Sequence, residues 1–455
     1  MKDVNLKGYV KYEDDDYTFI YENKKLTLVS VKNKFSFFRE YKFVEEFKGV
    51  TLDGFKIIFY INKSIYYKDG CFICSPRCMI IARDKSFDLE NMKFKTLKIS
   101  GGDISRFYSN RNMIDFDEES QSLKFKKVEE TVTEEIVTLN KEECTFELSI
   151  MEPGWKYDGI ITFDRYDSLL RIKYSSEKDY KQIIKDLNTV DKFFKFCTNR
   201  VNVSFDEIFL ETVNKEDKYE NIAEIFIPYM VDNEANKDML DFNIFKDHLN
   251  QIFCFLENCN YIFSIIPNNN DEICSISNKK YCAAFSCFES IYQFTSVKEP
   301  EIGTTNEEIA LTEVKNELIP LLEKLDEKYI GKSRLKREFI KRFIHLVSTA
   351  NLNLEKNIKN ELEKNIFITE SIYYKRKDEI KQNGLFQSII KAVKDRDDIT
   401  HNKTIRLDNI SIGIYEMILK LNYVMIFNYI GISKDVYSRK IQRLGLANII
   451  WPIKT

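Results

Sequence analysis

The sequence predicts an α+β protein: a β-rich N-terminal region, sandwich or barrel-like, followed by an all-α helical bundle. Three observations carry this expectation. Short alternating apolar runs recur at close intervals through residue 175, turn signals separate them, and from about residue 240 the apolar period changes from two to that of a helix. The expected division is a β-rich region over 1–240 and a helical region over 241–455.

The first runs are Tyr17-Thr18-Phe19-Ile20-Tyr21, Leu26-Thr27-Leu28-Val29-Ser30-Val31 and Phe55-Lys56-Ile57-Ile58-Phe59-Tyr60-Ile61. Their β-branched and aromatic residues suit a pleated, half-buried surface. Asp53-Gly54, Asp69-Gly70 and Gly101-Gly102-Asp103 supply turns between strands. A pair of strands is expected around Pro153-Gly154, because Cys144 to Ile150 and Asp158 to Phe163 both alternate. One long helix, at about 176–198, interrupts the region; its stripe is Tyr180, Ile183, Ile184, Leu187, Val190, Phe193, Phe194 and Cys197, and Ser176 with Asp179 has capping-box spacing. Val203 to Leu210 and Ile222 to Met230 return to strand character and close the N-terminal part.

Helical periodicity then predicts helices over Ile244 to Glu257, Lys279 to Thr295, Asn306 to Tyr329, Ser333 to Ala350, Glu370 to Lys381, Leu385 to Lys394, Asn409 to Ile430 and Lys434 to Arg443. Thr305 with Glu308 forms a capping box, and Pro320 removes one backbone donor and should kink its helix. Ser296 to Thr304, with Glu299-Pro300 and Gly303, is the expected connector. The helix from Asn409 is apolar on more than one side, which places it in a core or against a partner subunit; a share in a dimer interface is the reading taken.

Composition narrows the class. With 44% hydrophobic and 14% aromatic residues, the 455-residue chain can bury sizeable cores without disulfide or metal support. The most apolar stretch, Leu421 to Ile432, is short and interrupted by Asn422 and Asn428; no signal-like apolar segment follows Met1, and the ten cysteines are scattered singly. These features predict a cytoplasmic protein with reduced thiols and no membrane partner. Residues 301–455 carry 27 Lys and Arg against 21 Asp and Glu, a net of +6, whereas residues 1–300 carry 42 against 51, a net of −9. The basic part is thus the one suited to a polyanion.

That part contains Arg396-Asp397-Asp398-Ile399-Thr400-His401, an arginine five residues before one of only three histidines. A guanidinium can stabilise charge on a phosphorane while an imidazole moves a proton near neutral pH, so the pair can cleave a phosphodiester without a metal. Five residues on a continuous helix turn through about 140 degrees, which sends the side chains to different faces. A break or loosened turn within Asp397-Asp398-Ile399-Thr400, where aspartates bond locally and β-branched residues follow, is therefore expected, which puts the pair at a helix end or a bent junction. The plain alternative is a chance spacing of two surface or core residues. His248 and His345 lack an arginine at this spacing, sit in amphipathic helical patterns and read as structural.

Arg396-Asp397-x-x-x-His401 between long C-terminal helices resembles the R-(N/D/H)-x-x-x-H signature of the HEPN superfamily. The β-rich region ahead of it, from Asn5-Leu6-Lys7-Gly8-Tyr9-Val10 onward, is similar in layout to ApeA-type anti-phage abortive-infection proteins. The resemblance implies a HEPN catalytic core over about 305–455 and metal-independent endoribonuclease activity needing no cofactor. It also implies a homodimer or higher even oligomer in which two motifs face each other. His401 then handles the proton of the 2′-hydroxyl or of the leaving oxygen, Arg396 holds the scissile phosphate, and Asp397 orients one of them or keeps the pair inactive. The implied substrate is tRNA or another structured RNA, and the implied trigger is a phage-derived component bound by the N-terminal region. Asn402 and Lys403, beside the histidine, and Lys375 and Arg376, after Tyr373-Tyr374, are candidate RNA contacts. The alternatives are a non-catalytic helical RNA-, nucleotide-binding or dimerisation module, or the toxin of a toxin–antitoxin pair.

Other constellations read as structural. Cys71-x-x-Cys74-x-x-x-Cys78 lacks a second ligand pair at usable spacing, so no metal is assigned. Gly331-Lys332-Ser333 lacks the upstream glycine of a phosphate-binding loop. Arg334, Lys336, Arg337, Lys341 and Arg342 share a helix with Leu335, Phe339, Phe343 and Leu346, and form a solvated face or a phosphate-tracking one.

Overall fold

The computed structural model describes residues 5–32, 40–68, 70–109, 114–117, 122–125, 127–151, 155–157, 161–163, 167–228, 239–267, 276–296, 306–329, 334–349, 354–401, 403 and 405–443. The chain forms two compact units. The first comprises Met1–Cys197, Asn202–Asn233 and Asp241–Glu257, and the second Thr198–Val201, Glu234–Leu240 and Asn258–Thr455.

The first unit begins with six antiparallel strands, β1 (Leu6–Tyr12), β2 (Asp15–Glu22), β3 (Lys25–Ser30), β4 (Glu40–Thr51), β5 (Lys56–Lys68) and β6 (Cys71–Cys74). Their order β5-β4-β1-β2-β3-β6 closes on itself because β6 pairs back to β5 through Tyr66 and Ile73. Of the two architectures the alternating runs allowed, this part takes the barrel, which leaves no unpaired strand edge. Alternate residues fill the interior. Phe72 is fully buried with Tyr67 at 4.6 Å and Phe47 at 5.3 Å between ring centroids, and Tyr12 meets Phe47 at 4.9 Å. Aromatic edges against faces add packing specificity to the burial itself.

From β5 an open antiparallel sheet continues through β7 (Cys78–Ala82), β17 (Tyr219–Phe226), β16 (Glu207–Val213), β8 (Phe94–Ser100), β15 (Ser168–Lys178), β12 (Glu142–Ile150) and β11 (Thr133–Leu139). The returning strands β16 and β17 bridge β8 to β7, so the late strand pair does close this unit. Two short ribbons stand apart, β9 (Ile114–Asp117) with β10 (Ser122–Phe125) and β13 (Trp155–Tyr157) with β14 (Ile161–Phe163). The strands expected on either side of Pro153-Gly154 are present but are not each other's partners: Glu142–Ile150 pairs with β11 and β15, and Ile161–Phe163 with β13. Alternation marked the strands but held no information on which would pair.

Helices complete this unit. After the short α1 (Asp103–Phe107), α2 (Tyr180–Thr198) buries the predicted stripe, from Tyr180 and Ile183 to Phe194 and Cys197. Its cap lies three residues later than expected, at Asp179 instead of Ser176. Asp179 accepts from the Gln182 amide at 2.9 Å while the Gln182 side chain accepts from the Asp179 amide at 3.1 Å; Ser176 is still in strand β15. The pair α3 (Phe242–Phe245) and α4 (Leu249–Asn258) also packs here, with Phe253 at 4.7 Å and Phe245 at 5.4 Å from Phe193. The first helical segment after residue 240 thus belongs with the β-rich unit.

The second unit is helical: α5 (Asn278–Ser296), α6 (Asn306–Lys328), α7 (Arg334–Thr349), α8 (Leu354–Lys364), α9 (Ile366–Glu370), α10 (Tyr374–Asn383), α11 (Leu385–Thr400), α12 (Asn409–Ile430) and α13 (Lys434–Arg443). Pro320 lies within α6, while the connector 297–304 and the capping residue Thr305 fall outside the described residues. Helix α8 escapes sequence periodicity because only Leu354, Ile358 and Leu362 are apolar and buried on its core face, where Asn357 and Glu361 are buried with them.

At the centre lies α12. By length and composition it could cross a membrane, yet 94% of its most apolar window is buried inside this chain. Every residue from Ser411 to Phe427 is buried, and α5, α9, α10, α11 and α13 pack around it. The share in a dimer interface expected of this helix is therefore corrected: its all-round apolar character is spent on its own core. Gly413 permits the closest approach, since a Cβ there would stand 2.7 Å from Ile380 Cδ1 and 3.3 Å from Arg376 Cβ of α10.

Candidate functional site

Helix α11 carries Arg396 and Asp397 and ends at His401, which leaves helical geometry with φ −87° and ψ 21°. The stop is built locally. The His401 amide donates to the Asp397 carbonyl at 3.0 Å, the Thr400 hydroxyl donates to the Arg396 and Asp397 carbonyls at 2.7 and 3.0 Å, and the Lys403 amide reaches back to the Asp398 carbonyl at 3.0 Å. These bonds satisfy carbonyls that the last turn would leave open.

The pair does sit at a helix end, one of the two placements expected, but no break interrupts 397–400, because Asp397 to Thr400 remain helical. The physical reason is the side-chain and amide bonding just described, which lets the polar residues finish a helix instead of interrupting one. Arg396 and His401 therefore share a helix end but not, by spacing, one face; their residue positions are about 140 degrees apart around the axis. The His401 side chain is exposed, and among the described residues nothing hydrogen-bonds its imidazole.

Arg396 is held by two carboxylates. Its Nη2 donates to Glu289 Oε2 of α5 at 2.7 Å and its Nη1 to Asp397 Oδ1 at 3.0 Å, while Nε is buried without a partner. The guanidinium is 22% exposed and Glu289 18%, so this pair sits at the rim of the fold, where Coulomb attraction exceeds that of a free surface pair. Burial raises the Glu289 carboxyl above its ordinary range, and the neighbouring Arg396 charge works against that rise. Glu289 lies 107 positions from Arg396, and no local pattern could have singled it out. Of the two residues Asp397 was expected to orient, the structure shows its carboxylate in contact with Arg396.

The remaining candidates separate. Asn402 lies outside the described residues. Lys403 is 64% exposed with its ammonium 2.5 Å from Asp398 Oδ1, and this bond holds the Asp398 carboxyl below its usual value. Lys375 is exposed beside the exposed rings of Tyr373 and Tyr374. Arg376 is the correction in this group. It is buried, 5% exposed, and its guanidinium pairs with the fully buried Glu416 of α12. Turning one residue farther along α10 moved its side chain from the solvent side, where Lys375 stands, to the core side.

Around the Arg376–Glu416 pair, Lys420 donates to the Ser371 hydroxyl and carbonyl at 2.7 and 3.0 Å. Burial raises Glu416 to about 7, against the pull of Arg376 and Lys420, and lowers Lys420 to about 8. A third polar cluster fixes the start of α12. Asp408 caps it by accepting from the Ser411 amide at 3.0 Å, and Lys391 bridges from α11 to Asp408 at 2.7 Å.

Elsewhere, Cys74 and Cys78 are buried, and desolvation pushes their thiols up to about 11 and about 12, which makes them poor nucleophiles and ligands. Among the described residues no group of three or more His, Cys, Asp or Glu side chains is placed to hold a metal ion. No family model matches the chain, and no curated protein or solved structure matches it.

Proposed function

We propose that the helical unit is a metal-independent endoribonuclease of the HEPN type, acting in the cytoplasm in anti-phage abortive infection. The observation that carries the reading is the placement of a partly exposed guanidinium and an exposed imidazole, Arg396 and His401, on the end of one helix in the basic part of the chain. In this scheme a ribose 2′-oxygen attacks the adjacent phosphorus and the 5′-oxygen leaves. His401 takes the 2′-proton or protonates the leaving oxygen, and the products are a 2′,3′-cyclic phosphate and a 5′-hydroxyl. Arg396 exchanges a carboxylate partner for a phosphate oxygen and stabilises the extra charge of the phosphorane. Because the two positions diverge around α11, a second copy of the motif supplies the opposing group, as the homodimer of the resemblance requires. The β-rich unit is then the sensor of a phage-derived trigger, and a structured RNA such as tRNA the substrate.

The test uses purified full-length protein and RNA, with end analysis of the products. Arg396→Ala and His401→Ala should each lower cleavage by roughly 10²-fold or more while leaving circular dichroism unchanged. Cleavage at the wild-type rate by either variant overturns the reading.

One observation favours a second reading, a non-catalytic helical module. The 2.7 Å bond from Arg396 to Glu289 ties α11 to α5 and gives the arginine a structural task. On that reading Arg396→Ala lowers stability and His401→Ala changes nothing. The toxin of a toxin–antitoxin pair is the same chemistry under different control, and co-purification of a small partner protein would mark it.

A further inference from the structure

Helices α6 and α7 fold into a hairpin whose outer surface is unlike the rest of the unit. On α6 and the turn that follows it, Ile319, Leu322, Asp326 and Tyr329 are half-buried at alternating spacings of three and four. Two of them meet α7: Arg337 binds Asp326 through two bonds of 3.0 and 2.9 Å, and the Lys336 ammonium lies 4.9 Å from the Tyr329 ring. Beside this filled seam runs a second one. Val314, Leu318, Leu321 and Leu325 repeat at spacings of four, three and four, and they are 40 to 57% exposed. On α7, Leu335, Phe339 and Phe343 follow at intervals of four and are 46 to 79% exposed. An open groove of about 330 Å³ between the helices is lined by Leu325, Tyr329, Leu335, Lys336, Phe339 and Ile340.

A solvated helix has no need of an apolar stripe at 3.5-residue spacing; that spacing keeps a seam against another helix. Contiguous apolar surface of this kind marks a site of association. Charge selects the occupant. Helix α6 carries seven acidic and three basic residues, and α7 five basic and one acidic. Glu313 and Glu317 on α6 and Lys341 and Arg342 on α7 are exposed. In a two-fold arrangement the acidic helix of one copy meets the basic helix of the other, twice, so the surface is complementary to itself.

We propose that this hairpin is half of a four-helix bundle and that a second copy of this chain completes it, with α6 of each copy against α7 of the other. The inference rests on the ribonuclease reading for its need of two copies and names the surface that joins them; neither Arg396 nor His401 takes part, so a dimer that survives loss of this surface overturns the inference and leaves that reading standing. Sedimentation velocity on the full chain tests it. The wild type should have twice the 54.0 kDa mass of one chain, and Leu321→Glu with Phe339→Glu should have the single-chain mass with unchanged circular dichroism. Two further variants test the pairing and protect against misfolding of the first: Glu313→Lys with Glu317→Lys, and Lys341→Glu with Arg342→Glu. Each should be monomeric alone, and an equimolar mixture should recover the dimer because one reversed and one native contact are then both attractive. A monomeric wild type, as an intramolecular cover or a different partner would give, overturns the proposal. So does a dimer that survives Leu321→Glu with Phe339→Glu, or a mixture that stays monomeric. Arg396→Ala should remain dimeric.

Discussion

The Arg396 guanidinium of α11 donates to the Glu289 carboxylate of α5 across 2.7 Å, so the residue expected to hold RNA phosphate is held by a side chain 107 positions away. A phosphate oxygen must compete with that carboxylate and with Asp397 at 3.0 Å. Glu289→Gln keeps an acceptor of the same shape and removes the charge. If Arg396 binds phosphate, short RNA should bind the variant about fivefold more tightly, the equivalent of ~1 kcal/mol for a partly exposed pair. Fluorescence anisotropy at fixed salt reads this, and equal affinities would sink the idea that Glu289 competes with substrate.

Lysine cannot replace Arg396. The two carboxylates are engaged through separate Nη atoms at 2.7 and 3.0 Å, a fork that a single ammonium cannot reproduce. Arg396→Lys should therefore retain fold and most RNA affinity but lose catalysis by about 10²-fold, as expected when one donor to a developing charge is removed. Recovery of wild-type cleavage in the lysine variant would mean that charge alone is needed.

The buried Glu416 and Lys420 give α12 a pH signature. Glu416 rises from 4.5 to about 7, so between those values the folded chain holds a proton that the unfolded chain has released, and stability falls as pH rises. Lys420 falls from 10.5 to about 8, so between those values the unfolded chain holds the extra proton and stability rises with pH. Thermal unfolding should show a minimum near pH 7 to 8. In Lys420→Met the rise above pH 8 should disappear while the fall below pH 7 remains; an unaltered upper limb would remove Lys420 as its cause.

How much of this was legible beforehand depended on whether the determining contact was local. Alternation and turn residues located the strands of the barrel, and the stripe from Tyr180 to Cys197 located α2, because burial imposes its period on nearby residues. Closure of the barrel through Tyr66 and Ile73 is a pairing choice that period alone does not encode. The end of α11 was visible in the polar run before His401, but its bonding pattern, which prolongs the helix through Thr400, was not. Arg376 looked like its neighbour Lys375 in sequence, and only the packing of α10 on α12 separates the buried from the exposed cation. Glu289 had no signal at all, since its role exists only once α5 lies beside α11.

Gly413 offers the sharpest test of that packing. A helix interior ordinarily gains about 1 kcal/mol from replacing glycine by alanine. Here the new methyl would stand 2.7 Å from Ile380 Cδ1, and Ile380 is 4% exposed, so the clash cannot be relieved toward solvent. Overpacking of a tight core costs about 1–3 kcal/mol, enough to cancel or reverse the helix gain. Gly413→Ala should therefore be destabilised by up to ~2 kcal/mol in denaturant unfolding. Ile380→Val deletes the clashing methyl and by itself costs about 0.5–1.5 kcal/mol. In the double variant the alanine fills the space the methyl left, and the loss should be smaller than the sum of the two single losses. Strict additivity would show that α10 and α12 do not meet at Gly413 as tightly as a 2.7 Å approach requires.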